Sequence, residues 1–123
     1  MKAQPPSEHA IQSSLIAYLR MNARSDVLYF SIPNGGLRNI RVAQQLKAEG
    51  LVPGVADLCF MLPNGRTAWL EMKRPGGSLS DHQYGFKAWC SRLGHLWALA
   101  HSVDEAIPHL AEWNVLKRAP VNA

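Results

Sequence analysis

The chain has 123 residues, 47% of them hydrophobic and 18% charged, with a formal net charge of +4 and a pI near 9.4. That size gives room for one domain spanning 1–123 with a modest core, and no apolar run is long enough to cross a bilayer as a helix. The basic excess suits a polyanionic partner, because cationic patches gain affinity for nucleic acid by releasing counterions, although many basic proteins bind nothing of the kind.

The opening residues Met1-Lys2-Ala3-Gln4-Pro5-Pro6 lack the apolar centre of a signal peptide, so a cytoplasmic location is expected. Cys59 and Cys90 are the only cysteines and are read as buried free thiols, not as a disulfide. No His and Cys pair has zinc-ligand spacing, and the histidines are scattered singly.

In chain order, Ser7 is the N-cap of a first helix from Glu8 to Asn22, whose apolar stripe is Ile11, Leu15 and Leu19. Glu8 precedes Ile11 by three positions and so lies on the inward-facing stripe. An acid in a first turn is also welcome against the helix dipole wherever it points. Val27 to Ile32 is a strand by its β-branched and aromatic content. Pro33-Asn34-Gly35-Gly36 breaks it, either as a plain surface turn or as a loop whose amides, with Arg38 and Arg41 beside them, approach phosphates. A second helix is expected over Arg38 to Glu49, with Ile40, Ala43 and Leu46 inward and Gly50 as its stop.

A β-hairpin follows. Val55 to Leu62 and Arg66 to Lys73 are apolar runs flanking Pro63-Asn64-Gly65, and each run carries an acid where a buried strand should be apolar, Asp57 and Glu71. A two-residue turn at Asn64-Gly65 would put these acids on opposite faces. A three-residue loop with Pro63 at i+1 of a type I turn, Asn64 at i+2 and Gly65 left-handed pairs Leu62 with Arg66 and sets Asp57 across from Glu71. The second register is preferred, because proline's fixed φ favours i+1. Two carboxylates opposed on one face repel each other, and strand alternation returns Lys73 to that face. A lysine neutralising two acids at a sheet edge would account for this, and so would a divalent-cation site, since hard cations take oxygen ligands.

Arg74-Pro75-Gly76-Gly77 is a turn with a cation at its root. A third helix runs from Ser80-Asp81-His82-Gln83 to about Leu93, with Phe86, Trp89, Cys90 and Leu93 inward and Gly94 as the stop. Ser80 and Gln83 have capping-box spacing. His95 to Ala100 is almost wholly apolar and is expected inside the sheet. Ser102 to Glu105 opens a last helix as another capping box, and Pro108 should kink or restart it. The core is expected over about 7–107, with a C-terminal helix and loose tail over 108–123.

An acid followed one strand later by Glu71-Met72-Lys73 resembles the PD-(D/E)xK nuclease superfamily. Around that short motif stand Ile32-Pro33-Asn34-Gly35-Gly36, Gly50-Leu51-Val52-Pro53-Gly54-Val55-Ala56-Asp57, Leu70-Glu71-Met72-Lys73-Arg74-Pro75-Gly76-Gly77 and Leu79-Ser80-Asp81-His82-Gln83. Together they look like the VRR-NUC (virus-type replication-repair nuclease) family over about residues 7–107, with Ala56 where that family more often has proline.

The resemblance implies a restriction-endonuclease-like α/β core, a mixed β-sheet flanked by helices, which agrees with the order αβαββαβα read along the chain. It implies that Asp57, Glu71, the Met72 carbonyl and Glu8 hold one or two magnesium or manganese ions. Lys73 would orient or deprotonate the attacking water, and Gln83 would support the lysine or the substrate, a role hard to combine with capping. Asn34, Gly35, Arg38, Arg41 and Arg74 are the candidate DNA contacts. The implied activity is metal-dependent hydrolysis of DNA phosphodiester bonds. Branched or four-way-junction DNA is the expected substrate, in phage or bacterial replication and repair, because so small a domain has little surface for reading a long sequence. Some stand-alone relatives act as symmetric dimers, so a homodimer is expected, with Trp89, Trp97 and Trp113 as candidate surface.

Two other readings compete. One is a catalytically silent, basic nucleic-acid-binding module, which has no use for facing acids near a phosphate. The other is an interaction protein without a nucleic-acid role, which the arginines at 38, 41 and 74 disfavour.

Overall fold

The computed structural model describes residues 4–33 and 39–118. Asn34, Gly35 and Arg38 lie outside the described residues, as does the expected loose end from Pro120. The elements are α1 (Glu8–Asn22), β1 (Leu28–Ser31), α2 (Ile40–Ala48), β2 (Leu58–Leu62), β3 (Arg66–Met72), α3 (Asp81–Leu93), β4 (Leu96–Ala100) and α4 (Val103–Glu112), in the expected order. Each helix starts where a polar side chain accepts an otherwise orphaned amide proton: Ser7, Asn39, Ser80 and Ser102. Such caps stabilise a helix by about 1 kcal/mol each.

The strands form one mixed sheet in the order β1-β2-β3-β4, antiparallel except for the parallel pair β3 and β4. Strand alternation divides its side chains between two layers. Leu58, Phe60, Leu70, Met72 and Ala98 face α1 and α4 and form the core with Ile11, Leu15, Leu19 and Leu110. Truncating a fully buried leucine such as Leu15 to alanine costs ~2–5 kcal/mol in such a setting. On the opposite face α3 covers part of the sheet, where Phe86 packs edge-on against Trp69 at 5.1 Å. Cys59 and Cys90 are buried free thiols, as expected.

Several expectations are corrected. β4 pairs only with β3 and is an edge strand among the described residues; it is apolar because α3 and α4 pack against it. α2 starts at Ile40, and Ile40 is 76% exposed instead of inward; no residue of α2 is fully buried, with Ala43 and Leu46 half-buried. In α3, Trp89 and Leu93 point outward, Trp89 lying under the Arg92 guanidinium at 4.8 Å. Trp113, offered as a surface tryptophan, is buried against Phe60.

At the C-terminal end, α4 continues through Pro108 as one helix. Its box is shifted: the Glu105 carboxylate accepts from the His101 amide, one residue before the cap, at 2.7 Å. The core also reaches past residue 107. Leu110, Trp113 and Val115 are buried, and Leu116 forms a bridge with Ala23 at the end of α1. Leu110, Trp113 and Val115 thus belong to the hydrophobic core.

Candidate active site

The hairpin register sets the site. Leu62 pairs with Arg66 and Leu58 with Leu70, so one step further Asp57 stands across from Glu71, as the three-residue loop requires. The turn differs from expectation in one detail: Asn64 is left-handed at φ 66°, as is Gly65 at φ 73°. Asparagine tolerates that conformation better than other side chains do.

Asp57 is held from two sides. Its carbonyl accepts from the Ile32 amide at 2.8 Å, and its Oδ2 accepts from the Met72 amide at 2.8 Å. The Met72 side chain is buried in the core, so Met72 meets the site with its backbone. Glu71 is 3% exposed, the one buried charged residue among those described. The Lys73 Nζ lies 4.0 Å from Glu71 Oε1.

Gln83 completes the cluster. Its Oε1 accepts from the Ser80 amide at 2.9 Å, and its Nε2 donates to Glu71 Oε1 at 2.9 Å. Gln83 thus caps α3 and contacts Glu71 at once, where a contact to Lys73 or the substrate was expected in place of the cap. The Ser80 N–H demands the amide oxygen, and this leaves the NH2 group for the carboxylate.

The pair is electrostatically loaded. Burial, then the neighbouring Asp57 charge, pushes the Glu71 carboxyl up to about 8, against the pull of Lys73. Asp57 is also raised, chiefly by burial, while the Met72 amide opposes the rise and the charge of Glu8 adds to it. The carboxyls are close enough for protonated Glu71 to donate to Asp57. Such a pair stays fully ionised only when a cation compensates it.

No family model matches this sequence, and no curated protein does either. Solved structures do match. The chain is similar to a structure described as a VRR_NUC domain protein, with a TM-score of 0.72 and 14% identity over 89% of both chains. It is also similar to a second, described as a VRR_NUC domain, with a TM-score of 0.58 and 16% identity over 87% of this chain and 97% of that one. The chain has the VRR-NUC fold.

Within this VRR-NUC fold, Asp57, Glu71, Lys73, Gln83 and the Met72 backbone come together. The oxygens of the two carboxyls fit a hard cation, and the Met72 amide holds one of those carboxyls in place by donating to Asp57 Oδ2. Glu8 is exposed at the start of α1 and shares a cleft with Asp57. Among the described residues no three His, Cys, Asp or Glu side chains converge as a ready-made ligand group, so Glu8 stands at the rim of the pair. Arg41 and Arg74 are exposed, Arg74 directly after Lys73.

Two supports were not read from the sequence. Gly54, at φ +87°, lies so close to α3 that a Cβ there would meet the His82 carbonyl carbon at 2.3 Å and the Gln83 nitrogen at 2.7 Å. The loop before Asp57 and the first turn of α3 thus touch backbone to backbone, and this contact positions Gln83. His101 binds Glu105 Oε2 through Nδ1 and the Gly77 carbonyl through Nε2, each at 3.0 Å. A Cβ on Gly77 would stand 3.4 Å from Lys73 Cβ, so His101 braces the turn that packs on the lysine.

Proposed function

We propose that the chain is a metal-dependent deoxyribonuclease that hydrolyses phosphodiester bonds in branched or four-way-junction DNA. The observation that carries this reading is the buried Glu71 facing Asp57, with Lys73 and Gln83 on the same carboxylate. Asp57, Glu71 and the Met72 carbonyl would hold magnesium or manganese, with Glu8 completing the set from the rim. A bound ion of this kind supplies a lowered pKa for water and stabilises charge on the phosphate and the leaving oxygen.

The chain's own residues do the rest. Gln83 fixes the Glu71 carboxylate, and the Met72 amide fixes that of Asp57, so neither acid must reorganise when substrate arrives. Lys73 orients the attacking water and offsets charge gathering on the phosphate. The water oxygen forms a bond to phosphorus as the bond to the leaving oxygen breaks, the water gives up a proton to solvent, and the leaving oxygen takes one up from solvent. Arg41 and Arg74, with Asn34, Gly35 and Arg38, bind flanking phosphates. A homodimer would present two such sites for paired cuts across a junction. The setting is DNA replication or repair in the cytoplasm of a phage-infected or bacterial cell. No helix among the described residues is long and apolar enough to cross a membrane.

The test is to incubate the purified protein with labelled four-way junction, flap, single-stranded and duplex DNA. Magnesium, manganese or EDTA is added, and Lys73→Ala and Asp57→Ala are run beside the wild type. Cleavage that needs the metal and disappears in both variants is the expected result. Absence of cleavage on every substrate, with binding that both variants keep and magnesium does not change, would overturn the proposal in favour of a silent binding module.

A further inference from the structure

A cleft of about 500 Å³ runs between α1 and the end of β1 and includes Asp57 in its wall. Glu8 and Arg20, both on its rim, belong to the first and last turns of α1. At 1.5 Å per residue they lie about 18 Å apart along the helix. Asp57 lines the cleft together with Glu8, and Glu8 and Arg20 stand at opposite ends of its helical wall.

The two ends differ in chemistry. The acidic end repels a phosphate until a cation is present. Beyond it α1 presents His9, Gln12, Ser13 and Arg20, each able to donate a hydrogen bond, on neighbouring turns of one helix face. Among the described residues no carboxylate pairs with Arg20, and its side chain is exposed. Ile32 and Pro33 form an apolar patch in the same cleft. A wall of donors beside an apolar patch matches a nucleic-acid strand, which has an anionic phosphate edge and apolar sugar and base surfaces.

Resting on the nuclease reading of the carboxyl pair, we infer that this cleft is the track for one substrate strand, held through its phosphates by His9, Gln12, Ser13 and Arg20. With 3.4 Å of rise per nucleotide, 18 Å of helix corresponds to about five nucleotides. Arg20 therefore meets the strand about five nucleotides from the bond that is cut. The cleft measures the length of strand flanking that bond, apart from any recognition of the branch.

The experiment measures the dissociation constants of labelled substrates whose strand arms range from two to ten nucleotides, in EDTA so that nothing is cut. Wild type, Arg20→Ala, Arg20→Lys and Gln12→Ala are compared over a range of salt. Wild type should gain roughly three- to tenfold in affinity as the arm passes about five nucleotides, and its salt slope should be steeper than that of Arg20→Ala by about one. Arg20→Ala should lose that gain, Gln12→Ala should reduce it, and Arg20→Lys should restore part of it. Retention of the full gain by Arg20→Ala, or equal wild-type affinity for all arm lengths, overturns the track while leaving the nuclease reading standing. Absence of wild-type binding to any nucleic acid in EDTA overturns the track, whereas the nuclease reading is overturned only by absence of cleavage in magnesium, which keeps the two failures apart.

Discussion

Gln83 donates its amide nitrogen to Glu71 while its amide oxygen caps the helix that carries it. One side chain thus ties the start of α3 to the buried acid of β3. Gln83→Ala removes both bonds, and a loss of ~1–2 kcal/mol in stability is expected together with loss of cleavage. Gln83→Glu separates the two roles, since a carboxylate still accepts from the Ser80 amide but meets Glu71 as a second acid. It should keep the helix cap and lose activity, which paired melting curves and cleavage assays would show. Full activity in Gln83→Glu would mean that the bond to Glu71 is incidental.

The Glu71 carboxyl makes the metal-free protein sensitive to alkali. Its folded pKa of about 8 lies above the ordinary carboxyl value of 4.5, so the protonated form is favoured by folding. The contribution is fully present below 4.5 and is lost as pH rises through 8. Magnesium should therefore raise the melting temperature more at about pH 8 than at about pH 5.5, with proton release on binding at neutral pH. Glu71→Gln should abolish both effects. An equal magnesium shift at the two pH values would count against the carboxyl pair as the binding site.

His101 should titrate above 6.5, because the Gly77 carbonyl and the Glu105 carboxylate both reward its protonated ring. Since its folded pKa is raised, its contribution is present below 6.5 and disappears as pH climbs through the higher value. Glu105 is lowered by the same contacts, so its share is present above 4.5 and is lost as pH falls through the lower value. The brace on the Gly77 turn is strongest between these limits. An NMR titration of the His101 ring checks the direction. His101→Phe should lower cleavage most at mildly acidic pH, where the wild-type brace is intact.

Gly54→Ala tests the backbone contact behind Gln83. The added methyl would overlap backbone atoms of His82 and Gln83, and the φ of +87° strains any side chain. A loss of ~1–3 kcal/mol is expected, with activity falling further than stability because α3 must retreat from Glu71. Gly65→Ala, at φ +73° but with nothing within 4 Å, serves as the comparison. Strain alone should cost it stability with little effect on cleavage.

The hairpin was legible because its signal is local: a period of two and a proline-led turn fix the register of Asp57 and Glu71. The α1 stripe and the caps Ser7, Ser80 and Ser102 follow from equally short-range patterns, whereas the Asn39 cap of α2 was not read. What the sequence concealed depends on neighbours distant in the chain. β4 is apolar on both sides whether strands or helices cover it, so its edge position could not be read from composition. Ile40 has helical spacing, yet spacing does not say whether a core stands opposite. The cleft row from His9 to Arg20 was passed over because a polar helix face looks the same in front of solvent as in front of a ligand.

The bridge between Ala23 and Leu116 also bears on how the chain is made. Lys117 donates its backbone amide to the Asn22 carbonyl and its ammonium to that of Met21, closing the end of α1. The Lys117 ammonium and the Met21 carbonyl are 96 positions apart, so in synthesis α1 waits for the residues that fasten it. Contacts this distant in sequence slow folding. One wall of the cleft is therefore translated well before the residues that fasten it, which places assembly of the substrate track after β1 to β4 and α4 have been synthesised.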